Sequence, residues 1–201
     1  MDYQHAYEKL PLFGVGLALG ICLIASHLVM LIKREQVQGI LVKFQRDPKV
    51  GQVLLAIGLG WFWLLCAPSS LGPVSALVMD FGEFNGAKPL LRIVVPLMVV
   101  AVAISVRDFL AVRALGLIGL MVAAPILQAA FLEDPVSRLL LPIYAYSLLT
   151  ISMFLVGKPY LFRDALDWVK ASDTRWHAFS LAGLAYGVAI VVCALLFWRG
   201  Y

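Results

Sequence analysis

The chain has 201 residues, of which 62% are hydrophobic and only 14% are charged. Soluble domains average about 45–50% apolar and about 25% charged residues, so this composition excludes an ordinary soluble protein and indicates lipid as the solvent. The formal net charge of +4 is small, and it follows from how the basic residues are distributed across the membrane. No nucleic-acid partner is therefore expected.

Six long apolar runs follow one another, each close to the roughly 20 residues that an α-helix needs to cross the hydrocarbon core. Backbone polar groups must be satisfied within each segment there, and the alternation of a membrane β-barrel is absent. The sequence therefore predicts an all-α integral membrane protein with a single polytopic domain, residues 1–201. The predicted spans are 10–32, 50–67, 89–106, 109–132, 135–156 and 177–198.

The first run is expected to remain in the membrane as a permanent helix. Asp2 and Glu8 precede it beside a single Lys9, and no small-residue cleavage site follows. A secretory signal peptide would have a basic start, a shorter apolar region and such a site.

Two connectors predict short amphipathic helices. In 33–46 and in 159–170, apolar residues recur at helical spacing, and charged residues occupy the rest of the helical wheel. Such helices usually lie in the headgroup plane of the bilayer. The alternative is a docking surface for a partner protein.

The basic residues predict an orientation. Eleven of the sixteen lie in segments 33–49, 107–113 and 158–176, and five lie on the opposite side. The positive-inside rule then places these three segments in the cytoplasm and both termini outside it, in a bacterial-type inner membrane.

The long connector 68–88 on the outer side is apolar. It predicts an interfacial or re-entrant helix, or a patch covered by another subunit.

A weak internal repeat is also present. Arg-Asp occurs once in each basic connector, and Pro-Val-Ser follows the first two occurrences at 73–75 and 135–137. One interpretation is a duplicated pair of helical hairpins. The other is a chance match in an apolar sequence of low diversity.

Little in the sequence indicates catalysis. No acidic residue lies in the middle of a run, which argues against an ion-coupled pump. Hydrolase motifs are absent, and Cys22, Cys66 and Cys193 lack metal-ligand spacing. We expect no catalytic residue and no metal site.

Two histidines and three polar residues are candidates for ligand contact. His27 and His177 lie toward the same side, and they could hold a haem, a (bacterio)chlorophyll or a quinone if the first and last helices are neighbours. Packing roles are the alternative. Gln128, Tyr144 and Tyr146 could line the cavity of a transporter, or they could join helices by hydrogen bonds.

Small residues four positions apart predict faces for close helix packing. They are Gly16, Gly20, Ala56, Gly60, Gly183 and Gly187.

The leading functional prediction is a non-catalytic membrane subunit that assembles with membrane lipids and other membrane proteins. The alternatives are a transporter or channel for a neutral or lipidic molecule, and a cofactor-binding redox subunit.

Overall fold

The computed structural model describes residues 5–68, 77–105 and 108–201. This part of the chain contains helices and no strand, and six helices are long and apolar enough to cross a membrane. The protein is an all-α integral membrane protein, as predicted. The spanning helices are α1 (Leu12–Ile32), α3 (Pro48–Leu65), α4 (Lys88–Ser105), α5 (Leu110–Ala129), α6 (Leu140–Gly157) and α8 (Asp173–Phe197). The two amphipathic helices are confirmed as α2 (Arg34–Phe44) and α7 (Tyr160–Lys170).

Local signals explain where the helix boundaries differ from the apolar runs. α3 begins at Pro48, two residues before the predicted span, because the Asp47 carboxylate accepts hydrogen bonds from the N–H groups of Lys49 and Val50 (2.9 and 3.2 Å). This is an N-cap followed by proline at the first helical position. α8 begins four residues before the predicted His177, since its polar first turn is helical too.

The start of α1 and the end of α8 lie at the same end of the bundle, which we call the termini side. The N–H of Phe13 donates to the carbonyl of Tyr201 (3.3 Å), joining the start of α1 to the last residue. The opposite end, which carries α2 and α7, is the connector side. There the indole of Trp176 donates to the carbonyl of Met30 (3.0 Å).

α1 and α8 pack along their length through small residues. A Cβ atom at Gly20 would lie 3.0 Å from the carbonyl oxygen of Gly187, and a Cβ at Gly187 would lie 3.0 Å from that of Gly20. A Cβ at Gly16 would overlap the Trp198 ring, and one at Gly183 would overlap the His27 ring. The faces of these four glycines are therefore occupied by contacts within the chain.

α5 lies between α3 and α6. On α3, Gly51 faces the backbone of Leu110 and Ala111, whereas Ala56 is exposed and a Cβ added at Gly60 would have no atom within 4 Å. Ala56 and Gly60 thus lie away from the α3–α5 contact. On the other side of α5, Gly116 and Gly119 face Ser152 and so bring α5 close to α6.

The core lies toward the termini side, where α1, α5, α6 and α8 meet. α4 is peripheral and has Val95 as its buried residue. α4 packs mainly against α3. Near the connector side, its Val102 and Ala103 pack against a cluster formed by Leu55 of α3 and by Leu110 and Ala114 of α5. Toward the termini side, a cavity lies between α4 and α5.

Candidate functional site

The cavity at the termini side has a volume of about 720 Å³. Its walls come from the N-terminal segment, the end of α3, the residues before α4, and α4 and α5. The charged lining residues come from the N-terminal segment, the residues before α4 and α4 itself, whereas the lining residues of α5 and its end are apolar apart from Gln128. The lining residues are His5, Tyr7, Glu8, Ala67, Val78, Met79, Asp80, Asn85, Lys88, Arg92, Ala124, Leu127, Gln128 and Phe131.

The N-terminal segment forms one side of this cavity. Nδ1 of His5 accepts a hydrogen bond from the N–H of Tyr7 (3.2 Å), so the ring proton lies on Nε2, which donates to the carbonyl of Leu77 (3.0 Å). The indole of Trp61 donates to the Tyr7 hydroxyl (2.6 Å). Burial raises the pKa of Tyr7, so its phenol stays neutral. These bonds hold a short 3₁₀ helix, Ala6–Lys9, beside α5.

The residues before α4 present a carboxylate to the cavity. The Asp80 carboxylate accepts hydrogen bonds from the Asn85 amide and from the N–H of Gly82 (2.8 Å). A 3₁₀ helix, Gly82–Ala87, then leads directly into α4. The sequence predicts an interfacial or re-entrant helix in the connector 68–88. Residues 69–76 of this connector lie outside the described residues, and its described part contains this 3₁₀ helix.

The Asp80 turn is expected to respond to pH only in strongly acidic solution. The hydrogen bonds from Asn85 and then Gly82 lower the pKa of Asp80 below its ordinary value of 3.8. Their contribution to stability is therefore complete above about pH 4 and is lost as the pH falls through the lowered pKa. The amide proton shift of Gly82, followed by NMR, should titrate below pH 3.8. Asp80→Asn should abolish the titration, and a midpoint above about pH 4 would contradict the assignment.

Two cations one helical turn apart, Lys88 and Arg92, define the α4 wall. They lie at i and i+4 and share one face of the helix. The Lys88 ammonium donates to the Met79 carbonyl (2.5 Å) and lies 5.0 Å from the centre of the Phe81 ring. Nε of Arg92 donates to the Cys66 carbonyl at the end of α3 (2.7 Å).

Arg92 is thereby directed into the cavity. An arginine near the end of a spanning helix commonly extends along the helix to the headgroups, but the bond to Cys66 holds Arg92 across the end of α3 instead. Within the described ranges, neither Lys88 nor Arg92 forms an ion pair with a carboxylate. Both side chains are half-buried, whereas Asp80 and Glu8 are exposed at the rim.

The three polar residues expected to share a cavity are not brought together. Gln128 lines this one. Tyr144 packs against Tyr186, with ring centres 6.4 Å apart, and Tyr186 in turn donates to the Leu140 carbonyl (2.6 Å). Tyr146 is 62% exposed on α6.

His27 and His177 also have separate surroundings, although α1 and α8 are neighbours. Nδ1 of His27 donates to the Leu23 carbonyl (2.8 Å), and its ring lies over Gly183. His177 is exposed on the first turn of α8, where Nδ1 donates to the Asp173 carbonyl (2.7 Å). Gly183 and His177 are six residues apart, or about 9 Å along the helix axis. A cofactor held by both rings therefore stays a prediction that these contacts do not favour.

Other features lie apart from this site. Among the described residues, no three His, Cys, Asp or Glu side chains are grouped as metal ligands would be. Two elements of the sequence repeat, Arg107 and residues 73–75, fall outside the described residues.

Compared with known proteins, the chain matches no family model, no curated protein and no solved structure at a significant level.

Proposed function

We propose that this integral membrane protein binds a lipidic amphiphile, whose polar head occupies the termini-side cavity and whose apolar tails pack against the apolar lining residues of α5. The observation that carries the proposal is the cavity itself, with one charged and one apolar wall at the end of the spanning helices. Its volume is typical of small-molecule sites, which measure about 300–1,000 Å³.

The apolar wall belongs to α5 and the residues that follow it. Ala124, Leu127 and Phe131 line it, facing the cations of α4. A water-soluble polar solute would leave this wall without a matching surface, whereas an amphiphile covers both walls. Within the described residues no carboxylate forms an ion pair with either half-buried cation of α4, so an amphiphile with a charged head fits better than a neutral molecule.

The outer face of α4 belongs to the surrounding bilayer. Leu90, Ile93 and Leu97 are each more than 60% exposed and lie on the opposite face of α4 from Lys88 and Arg92, so they point away from the cavity. In a bilayer, such a surface is covered by acyl chains, and no protein partner is needed to explain it.

Assembly with other subunits stays a second prediction. Part of its support came from faces of small residues, and four of those residues, Gly16, Gly20, Gly183 and Gly187, are used within the α1–α8 pair. The bacterial-type inner membrane and the outward orientation of both termini likewise stay predictions, based on the distribution of Lys and Arg.

A cavity-filling substitution tests amphiphile binding. Ala124→Phe puts a ring into the cavity, and its matched control, Leu115→Phe, changes a partly exposed residue of the same helix. We expect wild type and the control to retain one lipid per chain in native mass spectrometry after mild detergent extraction. Ala124→Phe should retain at least about tenfold less, which corresponds to about 1.4 kcal/mol.

Equal lipid retention by all three proteins, with unchanged helicity by circular dichroism, would contradict the proposal. The same spectra test the subunit prediction, because a partner protein that survives extraction appears as added mass.

A further inference from the structure

We infer that the bound amphiphile is a zwitterionic phospholipid whose headgroup carries a phosphate and a primary ammonium group. This inference rests on the proposed function and adds the class of ligand. It follows from the order of charges in the cavity, with cations inside and carboxylates at the rim.

The inner position suits a phosphate. The guanidinium of Arg92 is fixed through Nε, and among the described residues its two terminal nitrogens have no partner. They can donate in parallel, the geometry that matches two phosphate oxygens. Lys88 lies one turn nearer the end of α4 and adds a second positive charge on the same face. A phosphate at this point would be bound by both side chains.

The rim suits an ammonium group. Asp80 and Glu8 both line the cavity and are exposed. Gly82 and Asn85 both donate to Oδ1 of Asp80, and within the described ranges Oδ2 has no donor, so it can accept from a ligand. A primary ammonium has three N–H donors for carboxylate oxygens.

Phospholipid headgroups carry their charges in the same order. The phosphate ester adjoins the glycerol and the acyl chains, and the ammonium is at the far end of the headgroup. With the tails against α5 and directed toward the middle of the membrane, the phosphate therefore meets Arg92 and Lys88, and the ammonium reaches Asp80 and Glu8. A singly anionic headgroup would place no cation beside these two carboxylates.

A quaternary ammonium fits less well. It has no N–H group to donate, and proteins bind it in cages of several aromatic rings. Apart from the hydrogen-bonded His5, the aromatic side chains among the described lining residues are Tyr7 and Phe131. The rim therefore favours the primary ammonium over the trimethylated one.

The experiment compares headgroups on identical acyl chains. Purified full-length protein is delipidated in detergent, and its binding of phosphatidylethanolamine, phosphatidylcholine, phosphatidylglycerol and diacylglycerol is measured by native mass spectrometry. We expect phosphatidylethanolamine to bind about tenfold more tightly than phosphatidylglycerol, and diacylglycerol to bind most weakly. Water-soluble glycerophosphoethanolamine should compete poorly, because it lacks the tails.

Charge-removing variants identify the contacts. Lys88→Gln should weaken the binding of the three phospholipids about tenfold and leave the binding of diacylglycerol unchanged. Lys9→Gln, on the same side but outside the cavity, should change the binding of neither class. The double variant Asp80→Asn with Glu8→Gln should remove the preference for phosphatidylethanolamine over phosphatidylglycerol. Its control, Glu83→Gln, changes an exposed carboxylate outside the lining and should preserve that preference.

The outcomes separate the two proposals. Equal binding of phosphatidylglycerol and phosphatidylethanolamine, or a preference that survives the double variant, would overturn the zwitterion while amphiphile binding stands. Tight binding of glycerophosphoethanolamine would mean that the ligand is a soluble phosphate ester. If no lipid binds and Ala124→Phe changes nothing, the proposed function itself fails.

Discussion

Replacing Trp198 with alanine is expected to lower the free energy of unfolding by about 3–5 kcal/mol, the cost of removing a large buried aromatic side chain. Trp198 follows the last residue of α8 and is fully buried. Its ring covers Gly16 of α1 and belongs to the cluster in which α1, α5, α6 and α8 meet. Since the loss opens a gap among four helices at once, local repacking cannot fill it.

Two other substitutions separate the contributions at this position. Trp198→Phe keeps a ring and loses the hydrogen bond that the indole donates to Oγ of Ser137 (2.8 Å), which should cost about 1 kcal/mol. Trp168→Ala removes a side chain that is 60% exposed and serves as the control. Equilibrium unfolding in mixed micelles gives the three values. A loss for Trp198→Ala no larger than that of the control would show that the ring does not join the helices.

Gly51→Ala is expected to destabilise the bundle by about 1–3 kcal/mol through overpacking. The added Cβ would lie 2.7 Å from the backbone nitrogen of Ala111 and 3.0 Å from the carbonyl carbon of Leu110. Both neighbours are buried residues at the start of α5. Backbone atoms cannot rotate aside as a side chain can, so α3 and α5 must move apart.

The same substitution at Gly60 is the matched control on α3. No atom lies within 4 Å of the added Cβ there, and alanine favours a helix over glycine by up to about 1 kcal/mol. Gly60→Ala should therefore stabilise the protein slightly or leave its stability unchanged. Thermal unfolding of both variants in detergent shows whether the two substitutions change the stability in opposite directions. A Gly51→Ala protein as stable as Gly60→Ala would refute the close approach of α3 and α5.

The spans could be predicted because the bilayer imposes a length and an apolar composition on every crossing helix. The packing faces could be predicted only in part. In lipid, both the inner and the outer faces of a helix are apolar, so hydrophobicity does not mark the side that packs. The pattern of two small residues four apart located the α1–α8 contact. On α3 it selected Ala56 and Gly60, whereas Gly51 and Gly58 make the contacts.

The cavity was harder to predict because its charges come from separate segments. Gln128 was identified from its position in an apolar run, and it does line the cavity. The position of Arg92 in the sequence does not reveal that it faces the cavity, since the carbonyl of Cys66 that holds it lies at the end of another helix. One signal in the sequence was usable, the spacing of Lys88 and Arg92 on one face of α4. The convergence of Glu8 and Asp80 on that face required the tertiary fold.

The pairing of α1 with α8 has a consequence for biosynthesis. Among the six spanning helices described above, α1 leaves the ribosome before the others, and its main neighbour, α8, leaves after them. At about 5–20 residues per second, translation of the intervening chain takes on the order of 10 s, and throughout that time the glycine face of α1 meets lipid or another nascent chain. A chain interrupted before α8 would keep that face exposed, so a ribosome stalled late in translation leaves a product that is open to pairing with a second copy.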